Sequence, residues 1–180
     1  MIYFLRHGQT DWNLQHKLQG SVDTPLNETG ISQAHKAKGD LKDVEFDMCF
    51  SSPLQRAKKT AEVIFGDKVI TDERIIERNF GVMEGEVFHN FDDVWNLPHN
   101  VKFENGESAN DVKVRAFDFI DEMRAKYKNK TVLVVCHGGI MRVIQSYFIK
   151  DFDGDYTNIP VPNNCEALIY DLRKISACGV

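Results

Sequence analysis

Two segments of this 180-residue chain end in the same pair, a histidine followed by a glycine. The first, residues 2–5, leads into Arg6-His7-Gly8, and the second, residues 131–136, leads into His137-Gly138-Gly139. Neither segment alternates polar with apolar positions, which is typical of strands buried on both faces of a parallel sheet. Ligands of such sheets bind outside the carboxyl ends of the strands. If the two strands are neighbours, both imidazoles stand side by side at that edge.

Strands and helices alternate along the rest of the chain. Further strands are predicted at 46–50, 68–71 and 165–172, and the longest helix is predicted at 109–127. This alternation predicts an α/β fold, with three layers and a mainly parallel central sheet covered by helices on both faces. No repeat or Pro/Ser-rich linker divides the sequence, so residues 1–180 are expected to form a single domain.

Local signals place the remaining helices. Ser52 as N-cap with Pro53 at the first helical position predicts a helix that ends at Gly66 and carries Arg56 in its first turn. An earlier helix is expected to be capped by Asn27 or Thr29. Its predicted apolar face is Ile31, Ala34, Ala37 or Lys38, and Leu41.

Composition limits the partners of the chain. The net charge of -5 argues against a nucleic acid or an anionic membrane as partner. The four cysteines, at positions 49, 136, 165 and 178, are too widely spaced for a metal site, so reduced thiols are expected. The N-terminus reads as a strand rather than a leader, and no apolar run is long enough to span a membrane. We therefore expect a cytoplasmic protein, either a monomer or a homodimer.

Charged side chains gather at the predicted sheet edge. Arg6 and His7 follow one strand, His137 follows another, and Arg56 opens a helix that itself follows a strand. Helix N-termini favour anions because their N–H groups are free. Two arginines, two histidines and such helix ends can together hold a phosphate.

These residues belong to motifs that recur in one protein family. The motifs are 6–13 (Arg-His-Gly-Gln-Thr-Asp-Trp-Asn), Gln19-Gly20, 23–26, 51–57, 77–85, 106–108 and 137–142. In this order they resemble the histidine phosphatase (phosphoglycerate mutase-like) superfamily, and they span the chain from Ile2 to about Leu172. The resemblance implies the phosphoglycerate mutase-like version of the α/β fold.

The resemblance also implies a role for each matching position. His7 would be the nucleophile that takes the phosphoryl group as phosphohistidine. Glu77 would protonate the leaving oxygen and then act as base for the attacking water, whereas Arg6, Arg56 and His137 would hold the phosphate oxygens. The implied substrate-binding set is Arg6, Asn13, Gln19, Gly20, Arg56, His137 and Gly138. No metal or other cofactor is expected, because arginines supply the positive charge that magnesium supplies elsewhere.

Several residues have plainer interpretations. On spacing alone, Glu77 could be a surface carboxylate paired with Arg74 or Arg78, and only the family motif reverses this. Arg142 is expected to be structural or peripheral. Glu84 and Glu107 also match positions of the family motifs. For each of them, contact with the substrate and no contact are equally expected. The segment 86–107, rich in aromatic residues, either covers the active site or joins a side core.

The sequence as a whole predicts a metal-independent phosphatase acting on a small phosphorylated metabolite. One alternative is a cofactor-dependent phosphoglycerate mutase, which the short chain disfavours because mutases of this family usually carry extra segments. Another is a catalytically silent phosphate-binding or regulatory module. The presence of His7, Arg56, Glu77 and His137 together argues against a module, since binding alone does not require His7 or Glu77.

Overall fold

A computed structural model describes residues 1–174 as an α/β fold around a five-stranded sheet. The strands are β1 (Ile2–Arg6), β2 (Met48–Ser51), β3 (Val69–Thr71), β4 (Val132–Cys136) and β5 (Ala167–Tyr170). The helices are α1 (Asp11–Leu14), α2 (Glu28–Asp40), α3 (Gln55–Phe65), α4 (Ala109–Tyr127) and α5 (Gly138–Phe148). Short 3₁₀ turns lie at Glu73–Ile75, Gly81–Met83, Phe91–Val94 and Tyr156–Asn158. Cys178, predicted to be a free thiol, lies outside the described residues.

The sheet is parallel except at one edge, in the order β3-β2-β4-β1-β5. β5 runs antiparallel to β1, whereas β4 lies between β1 and β2 and is parallel to both. This arrangement confirms the mainly parallel sheet predicted from the sequence. It also brings the carboxyl ends of β1, β2 and β4 to the same edge.

Helices cover both faces of the sheet, and β4 shows how the sequence divides between them. Val132, Val134 and Cys136 point into the core that contains α4 and α5. Leu133 and Val135 point into the core that contains α2 and α3. All five residues are fully buried, because a central parallel strand packs against helices on each side.

The structure corrects some predicted boundaries and faces. α4 has the predicted limits, but the strands predicted at 46–50, 68–71 and 165–172 are shorter or shifted, as given above. α2 is capped by Asn27, whose side chain accepts from Gly30 N, yet Ile31 is exposed. Ala34 and Ala37 are the buried positions of its apolar face.

The predicted Ser52 cap is wrong. The N-cap of α3 is Leu54, without a side-chain hydrogen bond, and the helix begins at Gln55. Ser52 continues the extended chain of β2, because its N–H donates to Val135 O at 3.0 Å. Its hydroxyl is therefore available to a neighbouring side chain at the sheet edge.

Candidate active site

The two histidines predicted to meet at the sheet edge do so. Pairing of β1 with β4 sets Arg6 opposite Cys136, and His7 N donates to Cys136 O at 3.0 Å. The imidazole ring centroids of His7 and His137 are 5.1 Å apart, with the rings inclined at 60°. Parallel pairing in this register thus creates the contact between residues 130 positions apart in the sequence.

His7 is held by its own backbone neighbourhood. Its Nδ1 lies 2.7 Å from Gly8 O. Because a carbonyl oxygen only accepts, Nδ1 carries the hydrogen, and Nε2 of the neutral ring has a free lone pair. Burial, then Arg56 and Arg6, lowers the pKa of His7 well below 6.5. The ring is therefore neutral near pH 7 and keeps one unprotonated nitrogen, and His7 lines the cavity.

His137, which the family resemblance implies as a ligand of a phosphate oxygen, lies beside His7 with both ring nitrogens bonded to protein groups. Its Nδ1 accepts from Arg56 Nε at 3.2 Å, and its Nε2 donates to Ser52 Oγ at 2.8 Å. The residue is completely buried behind the cavity wall, with both ring nitrogens used by protein groups. Burial and the neighbouring Arg56 lower the pKa of His137 well below 6.5. In this arrangement His137 orients Arg56 and packs against His7.

Arg56 is almost saturated by the protein. Besides the bond to His137, its Nη1 donates to Val22 O at 2.7 Å and to Thr24 Oγ1 at 3.4 Å, and its Nη2 donates to Gly20 O at 2.8 Å. Four of the five guanidinium N–H groups are thus engaged, which leaves one on Nη2. Burial lowers the pKa of Arg56 to about 10, so the group is still charged at neutral pH. Arg56 lines the cavity as a rigid cation.

Arg6 is less completely bonded. Its Nη1 donates to Pro162 O at 2.8 Å, whereas its buried Nε has no hydrogen-bond partner among residues 1–174. Burial lowers the pKa of Arg6, and the nearby Glu77 carboxylate opposes that shift. Arg6 therefore offers the cavity a charged donor with free bonding capacity.

Glu77 sits at the N-terminus of α5 instead of pairing with a surface arginine. Its Oε2 accepts from Gly139 N, and its Oε1 accepts from Ile140 N, both at 2.8 Å. Oε1 also accepts from the next residue in the chain, through Arg78 N at 2.9 Å. The N–H groups of Gly139 and Ile140 belong to the start of α5, which attracts a carboxylate. The carboxyl group is thereby fixed on the wall of the cavity.

Arg115 holds the loop that carries Glu77. From α4, its Nη1 donates to Arg74 O at 2.9 Å and to Ile76 O at 2.6 Å, and its Nη2 donates to Glu77 O at 3.1 Å. Glu107 accepts from the same guanidinium at two 2.9 Å contacts. Glu107 thus anchors Arg115 rather than lining the cavity.

The remaining predicted binding residues also surround the cavity. Asn13, Gln19, Gly20 and Gly138 all line it. Gln19 Oε1 accepts from Thr10 and Thr24 hydroxyls, which fixes its amide. Gly20 has φ of +51°, and a Cβ there would lie 2.0 Å from Glu84 Oε1. Glu84 itself supports this loop by accepting from Ser21 N at 2.7 Å.

The cavity has a volume of about 430 Å³. One wall comes from the segment 86–107, through Phe91, Val94 and Trp95. Val94 and Trp95 are also buried in the α4/α5 core, and Phe88 and Phe103 pack against that core. Residues of this segment therefore line part of the cavity and also extend a core.

Three residues with contacts at the site were missed from the sequence. Ser52 was predicted as a cap, Arg142 as peripheral, and Arg115 had no assigned role. The sequence does contain a signal for Arg142. It lies four residues after Gly138, an implied substrate-binding residue, and therefore on the same face of α5. Ser52 and Arg115 act through partners distant in sequence, and no local pattern indicates them.

Residues 1–174 contain neither a cluster of possible metal ligands nor a helix that could span a membrane. Within that range no three or more His, Cys, Asp or Glu side chains are grouped so that they could hold a metal ion. None of the helices in the same range is both long enough and apolar enough to cross a membrane.

Comparison with known proteins identifies the family. A model described as "Histidine phosphatase superfamily (branch 1)" matches residues 2–174. The chain is 35% identical over 146 residues to the uncharacterized phosphatase PhoE of Bacillus subtilis (strain 168), covering 79% of this chain and 74% of that protein. It is 34% identical over 154 residues to phosphoserine phosphatase 1 of Hydrogenobacter thermophilus, covering 79% and 73%.

A solved structure gives the same result for the fold. The mycobacterial glucosyl-3-phosphoglycerate phosphatase Rv2419c superposes with a TM-score of 0.81 at 28% identity, over 92% of this chain and 90% of that one. The phosphoglycerate mutase-like fold expected from the sequence is thus confirmed. Because the family model covers nearly all of the described chain and relatives exceed 30% identity, this chain is an enzyme belonging to the histidine phosphatase superfamily.

Proposed function

We propose that this enzyme is a phosphatase that hydrolyses a small phosphomonoester in two steps, through a phosphohistidine on His7. The observation that carries the proposal is the bond from His7 Nδ1–H to Gly8 O. It leaves the Nε2 lone pair free at a cavity walled by Arg6 and Arg56. A neutral imidazole beside two fixed cations is suited to attack on a phosphorus centre.

In the first step, His7 Nε2 attacks phosphorus and the bond from phosphorus to the ester oxygen breaks. Glu77 donates a proton to that oxygen, so the product leaves as an alcohol. In the second step, water attacks phosphorus, Glu77 takes its proton, and the bond to Nε2 breaks to release phosphate. Oε2 of Glu77 accepts one N–H bond where Oε1 accepts two, so we expect the proton on Oε2.

Charge on the transferred group is held by arginines. Phosphoryl transfer spreads negative charge over the equatorial oxygens, and the catalyst mainly positions and neutralises them. Arg6 and Arg56 both line the cavity, and Arg56 keeps one Nη2–H for a phosphate oxygen. His137 supports the step indirectly by fixing Arg56 Nε. A cavity of about 430 Å³ favours a small metabolite over a protein as substrate.

The test is phosphate release from para-nitrophenyl phosphate with excess chelator, for wild type, His7→Ala and His35→Ala. His35 is an exposed histidine of α2 and serves as the matched control. We expect chelator-resistant turnover that falls by at least about 1,000-fold in His7→Ala and is unchanged in His35→Ala. Undiminished turnover in His7→Ala would overturn the assignment of the nucleophile.

The same preparations distinguish the alternatives. Interconversion of 3-phosphoglycerate and 2-phosphoglycerate faster than phosphate release would identify a mutase. Binding of orthovanadate without turnover of any phosphomonoester would identify a silent phosphate-binding module. We expect neither result.

We also infer a cytoplasmic location, as the sequence suggests. Cys49, Cys136 and Cys165 are free thiols, and Cys49 and Cys136 are buried. Burial raises the pKa of Cys49 and of Cys165 to about 12, so both are protonated and unreactive at neutral pH. Recovery of the protein in the periplasmic or secreted fraction of its native cells would contradict the inference.

A further inference from the structure

The hydrogen on the ring of His7 is placed by the carbonyl group of a glycine. Gly8 O accepts from His7 Nδ1 at 2.7 Å and so leaves Nε2 for the reaction. Glycine has the widest choice of backbone angles of any residue, and Gly8 has no side chain that could restrict them. A Cβ at this position would lie 2.4 Å from Gly30 O, so a residue with a side chain does not fit unless the Gly30 backbone shifts. The orientation of the Gly8 carbonyl therefore depends on bonds made to the backbone around it.

The peptide group that joins His7 to Gly8 is held at both ends by side chains. At one end, Gly8 N donates to Thr60 Oγ1 at 3.1 Å. At the other end, His7 O accepts from Asn164 Nδ2 at 2.9 Å. Rotation of this peptide group would break both bonds. Two residues from distant parts of the chain thus restrain the backbone from which the Gly8 carbonyl follows.

The hydroxyl of Thr60 has both of its partners fixed. Thr60 lies in α3 and is fully buried. Its Oγ1 donates to Arg56 O at 2.7 Å, one turn earlier in the same helix. Because a hydroxyl carries a single hydrogen, this bond leaves Oγ1 as an acceptor for Gly8 N–H. One oxygen atom therefore connects the backbone of the nucleophile to the helix that carries Arg56.

A threonine inside a helix often bonds only to the carbonyl group four residues before it. That bond alone would give Thr60 a structural role in α3. The contact with Gly8 goes beyond it, because Gly8 is buried and its N–H needs an acceptor. Removal of the Thr60 hydroxyl would leave that N–H unsatisfied, which is costly enough to reorient a flexible peptide group.

We propose that Thr60 is a positioning residue that sets the tautomer of His7 by holding the backbone of Gly8. The inference rests on the proposed phosphohistidine function and adds a residue that controls its nucleophile. Without the Thr60 acceptor, the Gly8 backbone turns and its carbonyl moves away from His7 Nδ1. The ring hydrogen then also occupies Nε2, where it blocks attack on phosphorus.

Nitrogen-15 NMR of histidine-labelled protein measures the tautomer directly. The spectra are recorded at about pH 8, where the imidazoles are neutral. Comparison with His7→Ala identifies the signals of His7 among those of the six histidines. In the wild type we expect the hydrogen on Nδ1. In Thr60→Val, which replaces the hydroxyl by a methyl group of similar size, a substantial fraction should shift to Nε2, and Thr60→Ser should restore the wild-type spectrum.

Kinetics measures the consequence for attack by His7. The single-turnover rate of para-nitrophenolate release at saturating para-nitrophenyl phosphate should fall by about 10- to 100-fold in Thr60→Val. The ester concentration for half-saturation should change by less than about 3-fold, because the arginines still bind the phosphate. Thr60→Ser should restore most of the lost rate, because it keeps the hydroxyl.

Ser146→Ala is the matched control. It removes another buried hydroxyl of a helix, one that donates to Val143 O at 2.6 Å within α5. The tautomer of His7 and the rate of attack should both stay as in the wild type.

The outcomes separate the role of Thr60 from the function itself. An unchanged tautomer or an unchanged rate of attack in Thr60→Val would overturn the inference while leaving the phosphatase intact, and so would equal losses in Ser146→Ala. Absence of turnover in the wild type would refute the proposed function, and the NMR spectra would still decide what sets the tautomer. If Thr60→Val fails to fold, Thr60→Cys takes its place, because sulfur is only a weak acceptor. A smaller change in the same direction is then expected, and no change would overturn the inference.

Discussion

Arg56 and Arg142 are two buried arginines in the early turns of helices that follow parallel strands, yet their surroundings differ. Arg56 is completely buried and donates to His137, Val22, Thr24 and Gly20. Arg142 has one partner in the described chain, Asp92, and two buried nitrogens without any. The first guanidinium is part of the framework, and the second has unused bonding capacity.

The difference indicates that the end of the cavity near His7 and the wall near Arg142 are organised differently. The end near His7 is built in advance, because the groups around Arg56 are bonded to one another before any ligand arrives. The wall near Arg142 is not built in this way, because two nitrogens of the Arg142 guanidinium have no hydrogen-bond partner in the described chain. Substitutions at both arginines and at their partners test this contrast.

Replacing each arginine by methionine is the most direct test. Arg56→Met should lower kcat/KM by about 1,000-fold, because a transition-state charge contact is lost. It should also reduce the free energy of unfolding by about 2–5 kcal/mol, since His137 Nδ1, Gly20 O and Val22 O lose their donor. Arg142→Met should change the free energy of unfolding by less than about 1 kcal/mol, because it removes unsatisfied donors. Urea denaturation measures the stability of the two variants, and steady-state kinetics measures their kcat/KM. Equal losses of stability would contradict the difference described between Arg56 and Arg142.

Glu77→Gln tests whether the rigid end carries the proton transfer. An alcohol leaving group needs a proton, so hydrolysis of an alkyl phosphate should slow by about 100- to 10,000-fold. Para-nitrophenolate leaves readily without one, and its first step should slow far less. Single-turnover rates with the two esters measure the difference. A uniform loss for both esters would assign Glu77 a structural role.

The two histidines give a pH dependence of stability. Their pKa values are lowered below the unfolded value of 6.5, chiefly by burial and then by Arg56. Below pH 6.5 His7 and His137 therefore bind protons in the unfolded chain while they remain neutral in the folded chain. The free energy of unfolding should be constant above this pH and fall as pH drops, by up to about 1.4 kcal/mol per unit for each histidine.

The same measurement extends the comparison of the arginines. Arg56→Met removes a cation beside both imidazoles, so their folded pKa values should rise. The slope should still begin near pH 6.5, the unfolded pKa, but should be shallower and level off at a higher pH than in the wild type. Arg142 is absent from the groups that shift either histidine, and Arg142→Met should retain the wild-type slope. Chemical denaturation at pH 5 to 8 records these slopes, and an identical change in both variants would contradict the assignment.

The smallest expected effect concerns Ser52. Ser52→Ala removes the acceptor of His137 Nε2–H and should cost about 1 kcal/mol of stability and a few-fold in kcat. Ser51→Ala is the matched control, because this buried hydroxyl donates to Ser52 O at 2.8 Å and not to an imidazole. Ser51→Ala should cost similar stability without affecting kcat. An equal loss of kcat in both variants would show that His137 does not transmit the effect.

The sequence could predict whatever depends on local patterns and on strand ends. The apolar stripe of α4 gave its limits, and the unbroken apolar run of β4 gave its central place. His7, Arg6 and His137 could be brought together because parallel neighbours end at one edge. Glu77 required the family motif, since no periodicity indicates that it reaches the start of α5.

What could not be predicted depends on contacts between distant residues. The Ser52-Pro53 signal is normally a helix start, but Val135 O takes the Ser52 N–H and keeps that residue extended. The orientation of His137 is decided by Arg56, 81 residues earlier. Arg142 reads as peripheral until Asp92, 50 residues away, is seen to approach it. Pairings at such separations leave no periodic trace in a single chain.

The hydrogen bond from His7 Nδ1 to Gly8 O has a further consequence, for the identity of the covalent adduct. Phosphohistidine exists as two regioisomers, with phosphorus attached to one or the other ring nitrogen. In this enzyme the backbone carbonyl reserves Nδ1 for hydrogen, so a phosphoryl group on His7 has only Nε2 to occupy. The carbonyl oxygen of Gly8 thereby determines which nitrogen of His7 can carry the phosphoryl group.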